Sequence, residues 1–91
     1  MGFEWDDEKN KTTQKTRGLS FDDAKSLWSS PDVLEVPART EGEPRWAKIG
    51  VIFGKVHVCI FTRRDRNIRI ISVRRAHPEE EKRYEQKKNE N

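Results

Sequence analysis

Asn67-Ile68-Arg69-Ile70-Ile71-Ser72-Val73-Arg74-Arg75 is the stretch on which the fold of this 91-residue chain turns. Four β-branched apolar residues in nine predict a strand. Strict alternation puts Ile68, Ile70, Ser72 and Arg74 on one face and Arg69, Ile71, Val73 and Arg75 on the other. Both faces are apolar in the middle, which places the strand inside a sheet, and both carry a guanidinium towards one end. Such arginines either snorkel to solvent or project into a shared anion-binding surface, and the strand alone leaves both readings open.

The neighbouring segments supply the rest of a sheet. Arg45 to Phe53 reads as a strand with Ala47, Ile49, Val51 and Phe53 on one face. Gly54 and Lys55 form a tight turn, and Val56 to Thr62 returns. Arg63 to Arg66 is a basic turn leading into Asn67. Short connections make these three strands an antiparallel meander. Val33 to Val36 and Phe3 to Trp5 are brief strands, and Arg39 to Pro44 is a loop around Gly42. Asp6 caps a polar helix that Gly18 stops. Ser20 with Asp23 opens an amphipathic helix to Trp28, whose Phe21, Ala24, Leu27 and Trp28 recur at helical spacing. Pro78 starts a last polar helix with Glu79, Glu80 and Glu81 at its positive end and Tyr84 as its one aromatic anchor. The expectation is a small single α+β domain over residues 1–91. A twisted antiparallel sheet carries two N-terminal helices and one C-terminal helix, and residues 86–91 fray.

Composition limits the function classes. The chain is 38% charged and 32% apolar with a net charge of +3. The basic charge is concentrated: Lys55, Arg63, Arg64, Arg66, Arg69, Arg74 and Arg75 face a single acid, Asp65, between positions 55 and 75. That field suits nucleic acid, an acidic partner or plain solvent. One cysteine, Cys59, in an apolar run excludes an internal disulfide and reads as a buried inert thiol. No ligand spacing suggests a metal, and no cofactor motif is present. Without a leader or a membrane-length apolar run, the expected location is the cytoplasm.

Several pieces together resemble the BrnT family of type II toxins. They are Phe3-Glu4-Trp5-Asp6, Lys9, Gly18 with Ser20-Phe21, Asp32, Gly42-Glu43-x-Arg45, Ile49-Gly50 and Thr62-x-Arg64. The most specific is Ile68-Arg69-Ile70-Ile71-Ser72-x-Arg74-x-Ala76, followed by Glu80 and Tyr84. The resemblance spans roughly residues 3–85. It implies a RelE-like fold and an endoribonuclease that cuts RNA and blocks translation. It also implies a BrnA-like ribbon-helix-helix antitoxin as partner, with operator DNA reached only through that antitoxin. Members commonly carry Asn-x-x-Lys-His-Gly where this chain has Thr13, Thr16, Arg17 and Gly18. Arginine stays protonated and cannot serve as the base a histidine would be, although it can hold phosphate.

Metal-free RNA cleavage needs a base at the 2′-hydroxyl, cations around the phosphorane and an acid for the leaving oxygen. On the resemblance, Arg64, Arg69, Arg74, Glu80 and Tyr84 are the candidate catalytic residues. Lys9, Arg17, Arg45, Trp46, Arg63 and His77 are the candidate RNA-binding residues. Glu80 and Tyr84, four apart, share a helix face and can handle protons if that helix lies over the arginines. The competing reading makes Tyr84 a core anchor and Glu80 a match to the helix dipole. Trp46, opposite the Ala47–Ile49 face, can stack on a base or meet an antitoxin. Trp28 reads as core, and His57, mid-strand among apolar neighbours, reads as structural. Arg69 and Arg74 lie on opposite faces by alternation, so at least one of them can be structural instead, and Arg69 is the one expected to pair with an acid in the fold. The alternative function is a toxin-fold binding module with little activity that acts through its antitoxin as a transcriptional co-regulator.

Overall fold

A computed structural model describes residues 2–40 and 42–90. Glu41, within the loop expected over 39–44, and Asn91, at the end of the tail expected to fray, lie outside the described residues. The elements run β1 (Gly2–Glu4), α1 (Asp7–Arg17), α2 (Phe21–Ala24), a 3-10 turn (Lys25–Trp28), β2 (Leu34–Pro37), β3 (Trp46–Ile52), β4 (Lys55–Arg64), β5 (Asn67–Arg75) and α3 (Pro78–Asn89). The strands form one sheet in the order β1-β5-β4-β3-β2. The β2–β5 ladder is antiparallel throughout. β1 joins β5 in parallel, which makes the sheet mixed rather than purely antiparallel.

The largest departure from the alternation expected in β5 is a bulge. Phe61 pairs with Ile70 but Ile60 pairs with Ser72, so Ile71 is an extra residue in the strand. A bulge resets which face each later side chain takes. Ile68, Ile70 and Val73 therefore all enter the same core. Arg69, Ser72 and Arg74 pair with Thr62, Ile60 and Val58 and share the opposite face. The expectation that Arg69 and Arg74 lie on opposite faces is thus corrected: they lie on one.

Two cores flank the sheet. On one face Leu19, Phe21, Ala24 and Leu27 pack on Ile52, Cys59, Phe61, Ile68, Ile70 and Val73. Trp28 sits edge-on between Phe3 and Phe61, with centroids 5.1 and 4.9 Å away. Gly50 is needed there, because a Cβ would stand 2.8 Å from Leu27 Cδ2 and 3.2 Å from Val33. On the other face Tyr84, 4% exposed, anchors α3 among Ala47, Ile49, Val56 and Val58. α3 packs mainly on β3, so this face is covered at β3 and open towards β5.

Local chemistry explains the boundaries. Asp6 Oδ1 accepts the backbone N–H groups of Glu8 and Lys9 at the start of α1. Gly18 closes it with φ of 66° and an N–H bond to the Gln14 carbonyl. α1 buries only Thr13, and two polar ties hold it instead. Asn10 Oδ1 accepts the Phe21 N–H at 2.9 Å, and Arg17 Nη1 donates to the Val73 carbonyl at 2.6 Å. The Ser20–Asp23 capping box forms, but the helix expected to Trp28 changes to 3-10 after Ala24. The β3–β4 turn is Phe53-Gly54, not Gly54-Lys55, with φ of 51° and 76°, the geometry of a type I′ turn. Phe53 is consequently 74% exposed and Val51 43%, so neither continues the buried Ala47–Ile49 row. The basic turn shrinks to Asp65-Arg66, with Arg63 and Arg64 still in β4.

Candidate RNA-cleavage site

The bulge gathers the cations. Arg69 and Arg74 lie on the α3 face of β5. Pairing places Arg64 beyond Thr62 on the same face of β4, and the alternation of Ala47 and Ile49 places Arg45 there too. Thr62 and Val58, the partners of Arg69 and Arg74, are separated by four positions of β4, roughly 13 Å along the strand.

Three clefts follow β5, and the third reaches round the end of the strand to the opposite sheet face, where His57 pairs with Arg75. The first, about 210 Å³, is lined by Asp6, Lys9, Glu43, Arg45, Arg64, Arg69, Ile70 and Ile71. It unites Lys9, Arg45, Arg64 and Arg69 from four separate segments. The second, about 300 Å³, lies between α1 and β5 and shares Lys9 and Ile71 with the first. The third, about 380 Å³, shares Arg17 with the second and adds Leu19, His57, Arg74, Arg75, Ala76 and His77. Their shared walls make one seam from the Arg64–Arg69 end to the Arg74–His77 end.

Carboxylates hold several of these arginines in place. Arg64 Nη2 donates to Glu43 Oε1 at 3.2 Å, and this bond raises the affinity of the Arg64 guanidinium for its proton. Arg69 Nη1 reaches Glu4 Oε1 at 3.4 Å, across the parallel β1–β5 pairing. Arg74 makes a two-pronged bond to Glu80, at 2.8 and 2.9 Å. The His77 N–H adds a third bond to Glu80. The Arg74 guanidinium, helped by that N–H, holds the Glu80 carboxyl down at about 2 against the burial that would raise it. With both oxygens occupied and a proton affinity so low, Glu80 is poorly suited to carry protons and well suited to aim Arg74.

The remaining sequence candidates divide. Arg17 is in the seam, tied to Val73, and His77 is in the third cleft. Tyr84 is buried in the α3 core with Ala47, Ile49, Val56 and Val58, and lines a separate small cleft with Pro31 to Leu34. It is not brought to the arginines, because the apolar face of α3 turns it inward. Trp46 and Arg63 lie on the opposite face of the sheet. Arg63 stacks over the Trp46 ring at 5.4 Å and bonds both oxygens of Glu35 at 3.1 and 3.3 Å. Burial works to raise the Glu35 carboxyl, yet Lys48 and Arg63 outweigh it and keep it low. That pairing occupies Arg63 structurally.

Sequence reasoning set aside three residues that the site contains. Glu43 is visible in the sequence only as part of a motif and Asp6 as a helix cap, yet both line the first cleft, where Glu43 bonds Arg64. His57 reads as structural in the sequence, but it lines the third cleft. Its signal is an imidazole inside an otherwise apolar strand. Cys59, by contrast, is inert as expected: burial pushes its thiol up to about 12. Among the described residues, no three His, Cys, Asp or Glu side chains assemble into a metal cluster, and no helix is long and apolar enough to cross a membrane.

The chain matches a known protein family. The model of the ribonuclease toxin BrnT of type II toxin–antitoxin systems matches residues 5–80. No curated protein matches the chain significantly.

Proposed function

Because the chain belongs to the BrnT family of ribonuclease toxins of type II toxin–antitoxin systems, we propose that it is a metal-independent endoribonuclease whose cuts in RNA block translation. A toxin of this type has an antitoxin partner. In this reading the antitoxin is a BrnA-like ribbon-helix-helix protein, and operator DNA is reached only through it.

The observation that carries the proposal is the grouping of Arg45, Arg64, Arg69 and Arg74 on one open sheet face beside a continuous seam. Guanidinium forks match phosphate oxygens, and a row of them follows a phosphate backbone. The RNA strand lies along the seam with one phosphate at the Arg64–Arg69 end and the reacting phosphate at the Arg74 end. Arg74, aimed by Glu80, stabilises the charge that builds on the phosphorane. Lys9 and Arg17 hold the strand between the two ends. The carboxylates of Glu4 and Glu43 keep the arginines ordered before RNA arrives and yield to phosphate when it binds.

A second reading is favoured by one bond. Arg17, at the position of the family histidine, is tied to the Val73 carbonyl. A chain that has lost this proton carrier acts as a weakly active module through its antitoxin. The deciding experiment is cleavage of 5′-labelled RNA by antitoxin-free protein in EDTA, with and without ribosomes, beside R74A and R17H. Cleavage by the wild type that R74A loses supports the ribonuclease. A folded wild type without activity, rescued by R17H, supports the module.

A further inference from the structure

The chain has two histidines, one at the start of β4 and one at the N-cap of α3, and both line the same cleft. We propose that His57 and His77 are the acid–base pair of RNA cleavage, acting on a phosphate held in that cleft by Arg17 and Arg74. The inference rests on the ribonuclease reading and assigns it the proton carriers that Glu80 and Tyr84 do not supply.

His57 is prepared for this role by its surroundings. Its Nδ1 lies 2.7 Å from the Lys55 carbonyl oxygen, which can only accept, so the ring hydrogen must sit on Nδ1. The neutral ring therefore keeps its lone pair on Nε2, the tautomer of a general base. The ring is 7% exposed, which fixes its orientation. Among the described residues Thr13, His57 and Thr62 are the buried polar ones, and of these only His57 carries a ring nitrogen able to take a proton. His77 is its opposite in setting: its side chain is 70% exposed, with Nδ1 3.6 Å from Glu80 Oε1. It stands at the cleft mouth beside the carboxylate that aims Arg74. The charged groups facing the pair are Arg17 from α1, Arg74 and Arg75 from β5 and Glu80 from α3.

The step balances without any other reactant. His57 Nε2 takes the proton of the ribose 2′-hydroxyl, and the 2′-oxygen forms a bond to phosphorus. The bond from phosphorus to the 5′-oxygen breaks, and protonated His77 gives its proton to that oxygen. The products are a 2′,3′-cyclic phosphate and a 5′-hydroxyl. Arg74 and Arg17 take the charge of the phosphorane between the two rings. A cleft of about 380 Å³ is of the size that admits a phosphodiester and its ribose.

The test compares wild type, H57N and H77Q, free of antitoxin, in EDTA on 5′-labelled RNA across pH, with ribosomes added in a parallel arm. Asparagine at 57 keeps a donor for the Lys55 carbonyl and removes Nε2. Binding of uncleavable 2′-O-methyl RNA is measured alongside. The expected result is a bell-shaped profile for the wild type. Each variant should lose about 100-fold or more in kcat/KM, the usual scale for general acid–base catalysis, and one limb of the bell, with binding unchanged. Wild-type cleavage that both variants retain overturns the pair but leaves the ribonuclease standing. No wild-type cleavage in either arm overturns both. If H57N fails to fold, H77Q decides alone: its exposed site tolerates the change, and a full bell in that variant overturns the proposal.

Discussion

The two faces of the sheet use cations in opposite ways. On the α2 face, Lys48 and Arg63 lie over aromatic rings, with Lys48 Nζ 5.0 Å from the Trp28 centroid and Arg63 5.1 Å from that of Phe61. Both turn their charge on one carboxylate, Glu35, at 2.9 and 3.1 Å. These two cations are thereby committed to the fold. On the α3 face, Arg64, Arg69 and Arg74 rise from a half-covered sheet, each of the three held by its own carboxylate beside an open seam. The contrast teaches that basic charge stays available to a ligand only where packing stops short of it.

The largest effect that can break this contrast is on the closed face. Phe61→Ala empties the point where Trp28 and the sheet meet, and should cost about 3–5 kcal/mol in urea unfolding. Activity would then be lost only through unfolding. Next is the open face: R74A should lower cleavage about 100-fold, because it removes a preorganised cation from the reacting phosphate, while the lost pairing with Glu80 costs on the order of 1 kcal/mol in urea unfolding. Lys48→Met sharpens the contrast from the other side. It should alter stability by about 1 kcal/mol or less and leave cleavage as it was, since Lys48 supports only Glu35 and the rings.

The Arg74–Glu80 pair predicts a smaller, pH-dependent effect. The folded carboxyl sits at about 2, below its ordinary 4.5. A depressed carboxyl stabilises the fold above its unfolded value, and the contribution fades as pH falls from 4.5 through 2. The stability difference between wild type and E80Q should therefore be constant near neutrality and shrink over that window, in urea titrations at several pH values. The smallest effect lies outside both faces. Phe53→Asn creates an Asn-Gly type I′ turn in place of an exposed phenylalanine at φ of 51°, and should raise stability by about 0.5–1 kcal/mol with no change in cleavage.

Much of this was legible in the residues. The β-branched runs mark β3, β4 and β5, Ser20 with Asp23 marks the start of α2, and Pro78 marks that of α3. Glu43 and Arg45, both within one motif of the sequence, line the first cleft together with Arg64 and Arg69. What stayed hidden is tertiary. Ile70 and Ile71 are equally apolar, so no local preference marks which of them is the inserted residue. Trp46 and Arg63 look like RNA-facing groups until Glu35 appears across β2 to claim the arginine. His57 looks like a core residue until the ends of α1 and β5 open a cleft beside it. Tyr84 is legible as an anchor because α3 has no other aromatic residue to bury.

The inserted Ile71 makes the site a problem of parity. In an unbroken strand, side chains that share a face are an even number of residues apart, and Arg69 and Arg74 are separated by an odd one. The bulge takes up the odd residue, so that counted along the facing strand, from Thr62 to Val58, the two arginines stand an even four positions apart. Drawn into a regular ladder, Ile71 would send one of the two cations to the far side of the sheet while every side chain kept its identity; removed together with its bulge, it would leave an even separation and both arginines still facing the same substrate.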